Sequence, residues 1–428
     1  MSQDCNACHE YQMLNRRRFL GVSGLAGLSA LAAPAWLPRV AFASSHISGR
    51  DVIVSIYLRG AADGLTLVPP FGDPAYYTLR PTLAIPRPDD LANPNPRAID
   101  LNGYFGLAPA MAPLLEAYQA GTFAIVHAAG SPDSSRSHFD AQRFMEVGKP
   151  RDPSLYTGWL GRHLITANQA DPNAVARAIG IGYQLQMTLQ GGPKSLPIPD
   201  LTNYGLTGPS GTRTARLNYL NTAYAAVTDP LRASAANTYN TISVLNSINF
   251  GSYVPQGGAA YSNSSFQRAL RTTAALIKAD VGVEAVAIDR GGWDTHSAQG
   301  NLVGGSLYGT MTDLATGLQA FHRDIVQQNW NVTVVVMSEF GRTAAENDSL
   351  GTDHGHGGVM FLMGRNINGG LVHGTWPTLS SLYQNQDLHV TTDFRDVLAE
   401  VVALRLGNNA NLSTVFPGYT PTFRGLTT

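Results

Sequence analysis

Two rhythms of apolar and polar positions run through most of the chain. Short unbroken apolar runs, rich in β-branched residues, occur at Asp51–Leu58, Phe123–His127, Glu284–Ile288, Val332–Met337 and Val359–Met363. Their length and composition predict strands covered on both faces. Between them apolar residues recur at steps of three and four, which predicts amphipathic helices. Leu107, Met111, Leu114, Leu115 and Tyr118 form one such set, stopped by Gly121. Phe139–Val147, Tyr156–Ile165 and Phe266–Ile277 form others. Leu307, Met311, Leu314, Leu318, Phe321 and Ile325 mark a long helix. Phe394, Val397, Leu398, Val401 and Leu404 mark another, capped by Thr392 or Asp393 and ended by Gly407.

Strands alternating with helices predict an α/β fold, a mainly parallel central sheet flanked by helices. Glu284–Ile288, the long helix and Val332–Met337 make a βαβ unit with a right-handed crossover. Phe71–Pro96 is Pro-rich and aperiodic, hence a surface loop. The stretch 170–264 is rich in Asn, Thr, Ser, Gly and Pro, with helical spacing only near Leu217–Val227 and Ala233–Leu245. It reads as a loop-rich insertion or cap on a single domain spanning 44–428.

Composition adds two constraints. Over 428 residues, 44% are hydrophobic and 14% charged, as in a folded protein with a large core. The formal net charge of −1 gives no electrostatic basis for nucleic-acid binding.

The first 43 residues read as a targeting segment. Asn15-Arg16-Arg17-Arg18-Phe19-Leu20 is close to the twin-arginine export pattern, a weakly apolar run Gly21–Leu37 follows, and Ala41-Phe42-Ala43 supplies a cleavage site. The mature chain is expected to start at Ser44, in the periplasm or outside the cell, after passage through the twin-arginine machinery and with no stable membrane span. Cys5-Asn6-Ala7-Cys8-His9 matches a haem-attachment string, but it lies in the segment to be removed. The mature chain then holds no cysteine, and a metal has only His, Asp and Glu to bind it.

Polar residues cluster where strands end, the edge at which parallel sheets build sites. Asp63 follows the first strand in Arg59-Gly60-Ala61-Ala62-Asp63-Gly64, as a site acid or an Asp-Gly turn residue. Ser135 and Ser137, with His138 beside them, sit between a strand end and a helix start. They read either as helix caps or as nucleophiles at an anion-favouring helix terminus. Asp294 and His296 follow the third strand; Glu339 ends the fourth; Asp353, His354 and His356 lie in a Gly-rich loop just beyond. Carboxylates with imidazoles suit zinc, manganese or iron better than magnesium or calcium. Arg59 and Arg342 fall at the same edge, to clamp an anion or to pair with these acids. His127, inside an apolar run, reads as a core histidine.

The strings Arg59–Leu65, Ser135–Phe139, Gly292–His296, Met337–Thr343 and Thr352–Gly358 resemble the family of exported proteins known as domain of unknown function 1501. The resemblance runs from about Val52 to Gly418. It implies an alkaline phosphatase/sulfatase-like fold with one or two divalent metals at the strand ends. By that likeness Asp63, Asp294, His296, Glu339, Asp353, His354 and His356 are the metal ligands. The implied function is hydrolysis of small anionic phosphate or sulfate esters. In such a reaction Ser137, Ser135 or a bound water attacks, His138 or a late His protonates the leaving group, and Arg59 or Arg342 clamps the anion. Phe340 stands where that superfamily carries a metal-binding His, and the Asp-x-His spacing at Asp294 is shorter than usual. These departures keep a second function in view: a non-catalytic exported protein that binds or assembles with another exported protein.

Overall fold

The computed structural model describes residues 50–428, apart from positions 172, 173, 175, 200, 202, 203, 207, 230, 248 and 249. The targeting motifs and both cysteines lie outside the described residues. In chain order the main elements are β1 (Val52–Leu58), β2 (Phe123–Gly130), α1 (His138–Val147), α2 (Trp159–Thr166), β3 (Ala178–Ile181) and β4 (Ser195–Pro197). There follow α3 (Arg213–Ala225), α4 (Leu231–Ser247), α5 (Ser265–Lys278), β5 (Ala285–Arg290) and α6 (Ser306–Phe321). Last come β6 (Val332–Ser338), β7 (Gly358–Gly364) and α7 (Phe394–Glu400).

The sheet runs β2-β7-β6-β1-β5-β3-β4, with the short strand Val372–His373 beside β2. It is parallel except for β7, which is antiparallel to both neighbours. Helices cover both faces. Along β1, Val54, Ile56 and Leu58 face one core with Phe266, Leu270, Met311 and Leu318. Ile53 and Tyr57 face the other, with Trp159, Leu160, Phe394 and Val397. Because successive side chains point to opposite faces and both are buried, the strand reads as one continuous apolar run. Each such buried aliphatic or aromatic side chain contributes about 1.5–3 kcal/mol.

Three elements differ from the sequence reading. The Leu107–Tyr118 pattern splits into a 3₁₀ turn (Pro109–Leu114) and a short helix (Leu115–Gln119), because Pro109 and Pro113 remove two backbone donors. The stretch 170–264 is not wholly an insertion. Ala178–Ile181 and Ser195–Pro197 extend the central sheet, but at four and three residues they are too short to show a period. The third difference is the direction of β7, which no periodicity encodes. Among the described residues, no helix is long and apolar enough to cross a membrane.

Two buried histidines make a pH prediction. His127 accepts a backbone N–H at Nδ1 and meets the Val68 carbonyl through Nε2; His163 packs in α2 against Asn408. Burial pushes them down to about 4 and about 3. Below the ordinary histidine value the unfolded chain therefore binds protons that the folded chain refuses, so stability falls as pH drops from neutrality toward 4. The expected loss is roughly 2 kcal/mol per histidine at about pH 5. Urea titrations at several pH values check this, and a flat profile would count against neutral burial.

Candidate functional site

β1, β5 and β6 end level with one another, with Leu58 beside both Arg290 and Ser338. The loops that follow emerge at one edge. β7 runs the other way, so the loop preceding it, Asp353–Gly357, arrives at this same edge. β2 also ends there, with Ala129 opposite Gly358, and leads into α1 with His138 as its first residue. Four chain segments thus meet, and glycines let them touch. A Cβ on Gly341 would lie 1.9 Å from the Gly357 carbonyl oxygen, and one on Gly60, at φ +116°, 2.7 Å from the Asp294 amide nitrogen.

The centre of the meeting point is the Asp294 carboxylate. Its Oδ1 lies 3.0 Å from His296 Nε2 and 3.2 Å from His354 Nε2; its Oδ2 lies 3.5 Å from His138 Nε2. The His296 and His354 Nε2 atoms are 2.9 Å apart. One ligand atom each from His138, Asp294 and His354 falls within 4.8 Å of the others. His296 extends the set through its short distances to Asp294 and His354.

The other ring nitrogens fix the tautomers. His138 Nδ1 is 2.8 Å from Glu339 Oε1, His296 Nδ1 2.8 Å from Asp353 Oδ1, and His354 Nδ1 2.9 Å from the Arg136 carbonyl. Carboxylates and carbonyls only accept, so each Nδ1 carries the proton. A ring so held and carrying no second proton turns its Nε2 lone pair toward the Asp294 oxygens and the other rings. Acceptors facing acceptors at these distances repel unless a cation lies among them. Further, His138 Nε2 is buried without a hydrogen-bond partner. Three carboxylates (Asp294, Glu339, Asp353) against one guanidinium (Arg342) leave an excess of two negative charges, which a divalent cation balances. The donor set therefore fits a metal such as zinc: imidazole nitrogens and a carboxylate, each ring held from behind by an acceptor.

The surroundings bias the charge of these groups in different directions. The hydrogen bond to Glu339 pushes the His138 imidazole up, while burial pushes His354 down. Burial also opposes ionisation of Asp294, but the Arg342 guanidinium outweighs it and holds that carboxyl at about 2. Burial likewise opposes ionisation of Glu339, and its bonds from His138, Gln142 and the Gly60 N–H hold it below the ordinary range.

The remaining residues read from the sequence are placed elsewhere or differently. Asp63 is not at the cluster. It is buried and paired with Arg80 at 2.6 Å, with Thr66 and Gln299 as further donors. Glu339 is enclosed by His138, Gln142 and Gly60, so it orients His138 rather than facing the Nε2 atoms. Asp353 likewise stands behind His296. The His356 ring stacks on Tyr383 at 4.3 Å, where burial pushes it down to about 4, outside the ligand set. Arg59 is committed to Glu146 at 2.7 Å and Asp289 at 2.8 Å. Arg342 is fully buried and donates to the Gly60, Ala61, Trp293 and Thr352 carbonyls and to Asp294. Neither guanidinium has the open face that an anion clamp needs. Ser137 caps α1 by accepting from the Asp140 amide, and Ser135 Oγ accepts from the Ser137 amide.

Two residues named from the sequence take another role here, and a third, Gln142, was not read from it. His138, read as an acid, supplies the inward nitrogen with no partner. Gln142 bridges Arg59 and Glu339; its position one turn beyond His138 on α1 was the available signal. Phe340 stacks on His138 at 5.2 Å and tilts against His354 at 5.1 Å. It forms an apolar floor under the imidazoles.

No curated protein matches the chain. A family model described as protein of unknown function (DUF1501) matches residues 255–404, a span that carries Asp294, His296, Glu339, Arg342, Asp353 and His354. Over that span, about a third of the chain, the sequence is similar to the DUF1501 family.

Proposed function

We propose that the protein is a divalent-metal-dependent hydrolase of phosphate or sulfate esters, exported by the twin-arginine pathway and built on an alkaline phosphatase-like variant of this fold. The observation that carries the reading is the convergence of three Nε2 lone pairs on the Asp294 carboxylate. His138, Asp294, His296 and His354 would hold the ion. When bound, zinc, manganese or iron supplies a Lewis acid and lowers the pKa of a water molecule. Glu339 and Asp353 keep the Nδ1 protons of His138 and His296, so both rings stay aimed. Arg342 holds Asp294 Oδ1 at 2.7 Å and leaves Oδ2 toward His138. Phe340 excludes water from beneath. Asp294, His296 and Asp353 are the exposed members, with side chains 48%, 43% and 59% accessible, so substrate approaches over them.

Water is the attacking group in this reading, because both serine hydroxyls hold the turn before α1. Ser137→Ala is accordingly expected to cost about 1 kcal/mol of stability as a lost helix cap and to leave hydrolysis within about two-fold. A loss beyond roughly a hundred-fold with the fold intact would make Ser137 the nucleophile, since removing a nucleophile costs far more than this.

The test of the proposal is elemental analysis of mature protein expressed with zinc, manganese and iron supplied, followed by a panel of aryl phosphates and sulfates. About one ion per chain is expected for a site with one set of ligands; less than roughly 0.2 per chain would defeat the reading. A specific observation favours a second reading, a non-catalytic exported binding or assembly protein. Arg59 and Arg342, the only arginines proposed to grip a substrate anion, are already neutralised within the fold. Bound metal without turnover of any ester in the panel would select it.

A further inference from the structure

A cleft of about 530 Å³ opens over the ends of β3 and β5, on the same strand-end edge as the imidazole cluster. Its floor is the end of β3 at Ile181 and of β5 at Ile288 and Asp289; one wall is a face of α5, and the other is the chain at Leu201 and Phe250–Tyr253. The volume lies within the range of sites for small organic ligands.

The α5 wall presents Arg268 and Arg271, spaced to share one helix face, with Ala269, Thr272 and Ala275. Both arginines are exposed. Arg268 donates to the Asn263 carbonyl and Arg271 to the Tyr253 carbonyl. Neither forms an ion pair with a carboxylate among the described residues. The one acid lining the cleft, Asp289, is paired with Arg59 at 2.8 Å, which it shares with Glu146. The lining thus carries two guanidiniums against one carboxylate that is itself engaged by a third. The opposite lining is apolar and aromatic: Leu201, Phe250, Tyr253 and, at the mouth, Tyr183, whose side chain is 91% accessible. A monomeric protein gains nothing from leaving such an aromatic in water; it gains if a ligand ring covers it.

We propose that this cleft binds an organic anion with an aromatic or apolar body. Arg268 and Arg271 take its charged group, through charge-assisted bonds that the guanidinium fork suits. Phe250, Tyr253 and Tyr183 cover the body. The site is separate from the metal centre and does not depend on it. Asp289 links the two through Arg59 and Gln142 to Glu339, so the ligand sits at the same edge as the proposed chemistry.

The experiment is calorimetric titration of the full mature chain with 1-naphthalenesulfonate, which has no ester bond to hydrolyse, in parallel with 1-naphthol and inorganic sulfate. Saturable binding is expected for the first, at least ten-fold tighter than for either half alone. Arg268→Ala/Arg271→Ala should weaken it at least ten-fold. Thr272→Trp, which fills the cleft without removing a charge, should abolish it; both sites are at the surface, and circular dichroism verifies the fold. His138→Ala/His354→Ala, which removes the metal centre, should still show one saturable binding event, and that event should disappear when Arg268→Ala/Arg271→Ala is added. No saturable binding, or equal affinity in the arginine variant, overturns the proposal. So does binding lost in the histidine variant and kept in the arginine variant, because the probe would then sit on the metal centre.

Discussion

His138→Ala/His354→Ala is expected to lose bound metal while keeping its fold. The two substitutions remove two of the four inward donors and leave their supporting partners satisfied. Glu339 keeps the Gly60 N–H and Gln142, and the Arg136 carbonyl lies in a part-buried loop within reach of water. Losing a single orienting partner already costs 10- to 100-fold in affinity at metal sites, so two direct ligands should cost at least about a thousand-fold. Competition with a chromophoric chelator measures it. His356→Ala is the control: that ring stacks on Tyr383 outside the cluster, and its removal should leave the stoichiometry unchanged. Equal metal content in the double variant would mean the ligands are assigned wrongly.

The second large effect is on stability. Arg342 is 1% exposed and joins four backbone carbonyls from three chain segments to Asp294. Arg342→Met preserves much of the volume and strands these acceptors in the interior. A buried acceptor left without its donor costs about 1–3 kcal/mol, so four stranded carbonyls make the expected loss at least about 3 kcal/mol, a large share of the 5–15 kcal/mol typical of a whole domain. Arg342→Lys should recover only a minority of the loss, because one ammonium cannot reach acceptors spread around a planar fork. Chemical denaturation measures both variants, and a change below about 1 kcal/mol for Arg342→Met would show that water replaces the guanidinium.

Much of the architecture is legible without coordinates. The strands β1, β2, β5, β6 and β7 and the helices α1, α2, α5 and α6 follow from runs and periods, because each covers enough residues to express its repeat. β3 and β4 do not, being shorter than two full alternations. The site is legible as a set of strand-end loops, since a βαβ chain must return its strands in the same direction and so gathers the following loops at one edge. The arrival of the His354 loop is a different matter. It precedes its strand, and only the reversed direction of β7 brings it to that edge.

Residue type alone could not sort the seven acids and histidines read as ligands. Asp63 and Asp294 are both acids just after strands. A cation seventeen residues on, Arg80, takes the first, while the second is left facing three imidazoles. Glu339 and Asp353 differ from Asp294 only in which ring nitrogen they meet. The chain order of apolar runs, glycines and acids sets which loops can meet, because periodicity and backbone freedom are local properties. Which oxygen faces which nitrogen, and where each proton resides, depends on contacts 57 to 218 residues apart in sequence. Those are set by the packing of the whole sheet, and so the site's chemistry is written in the fold.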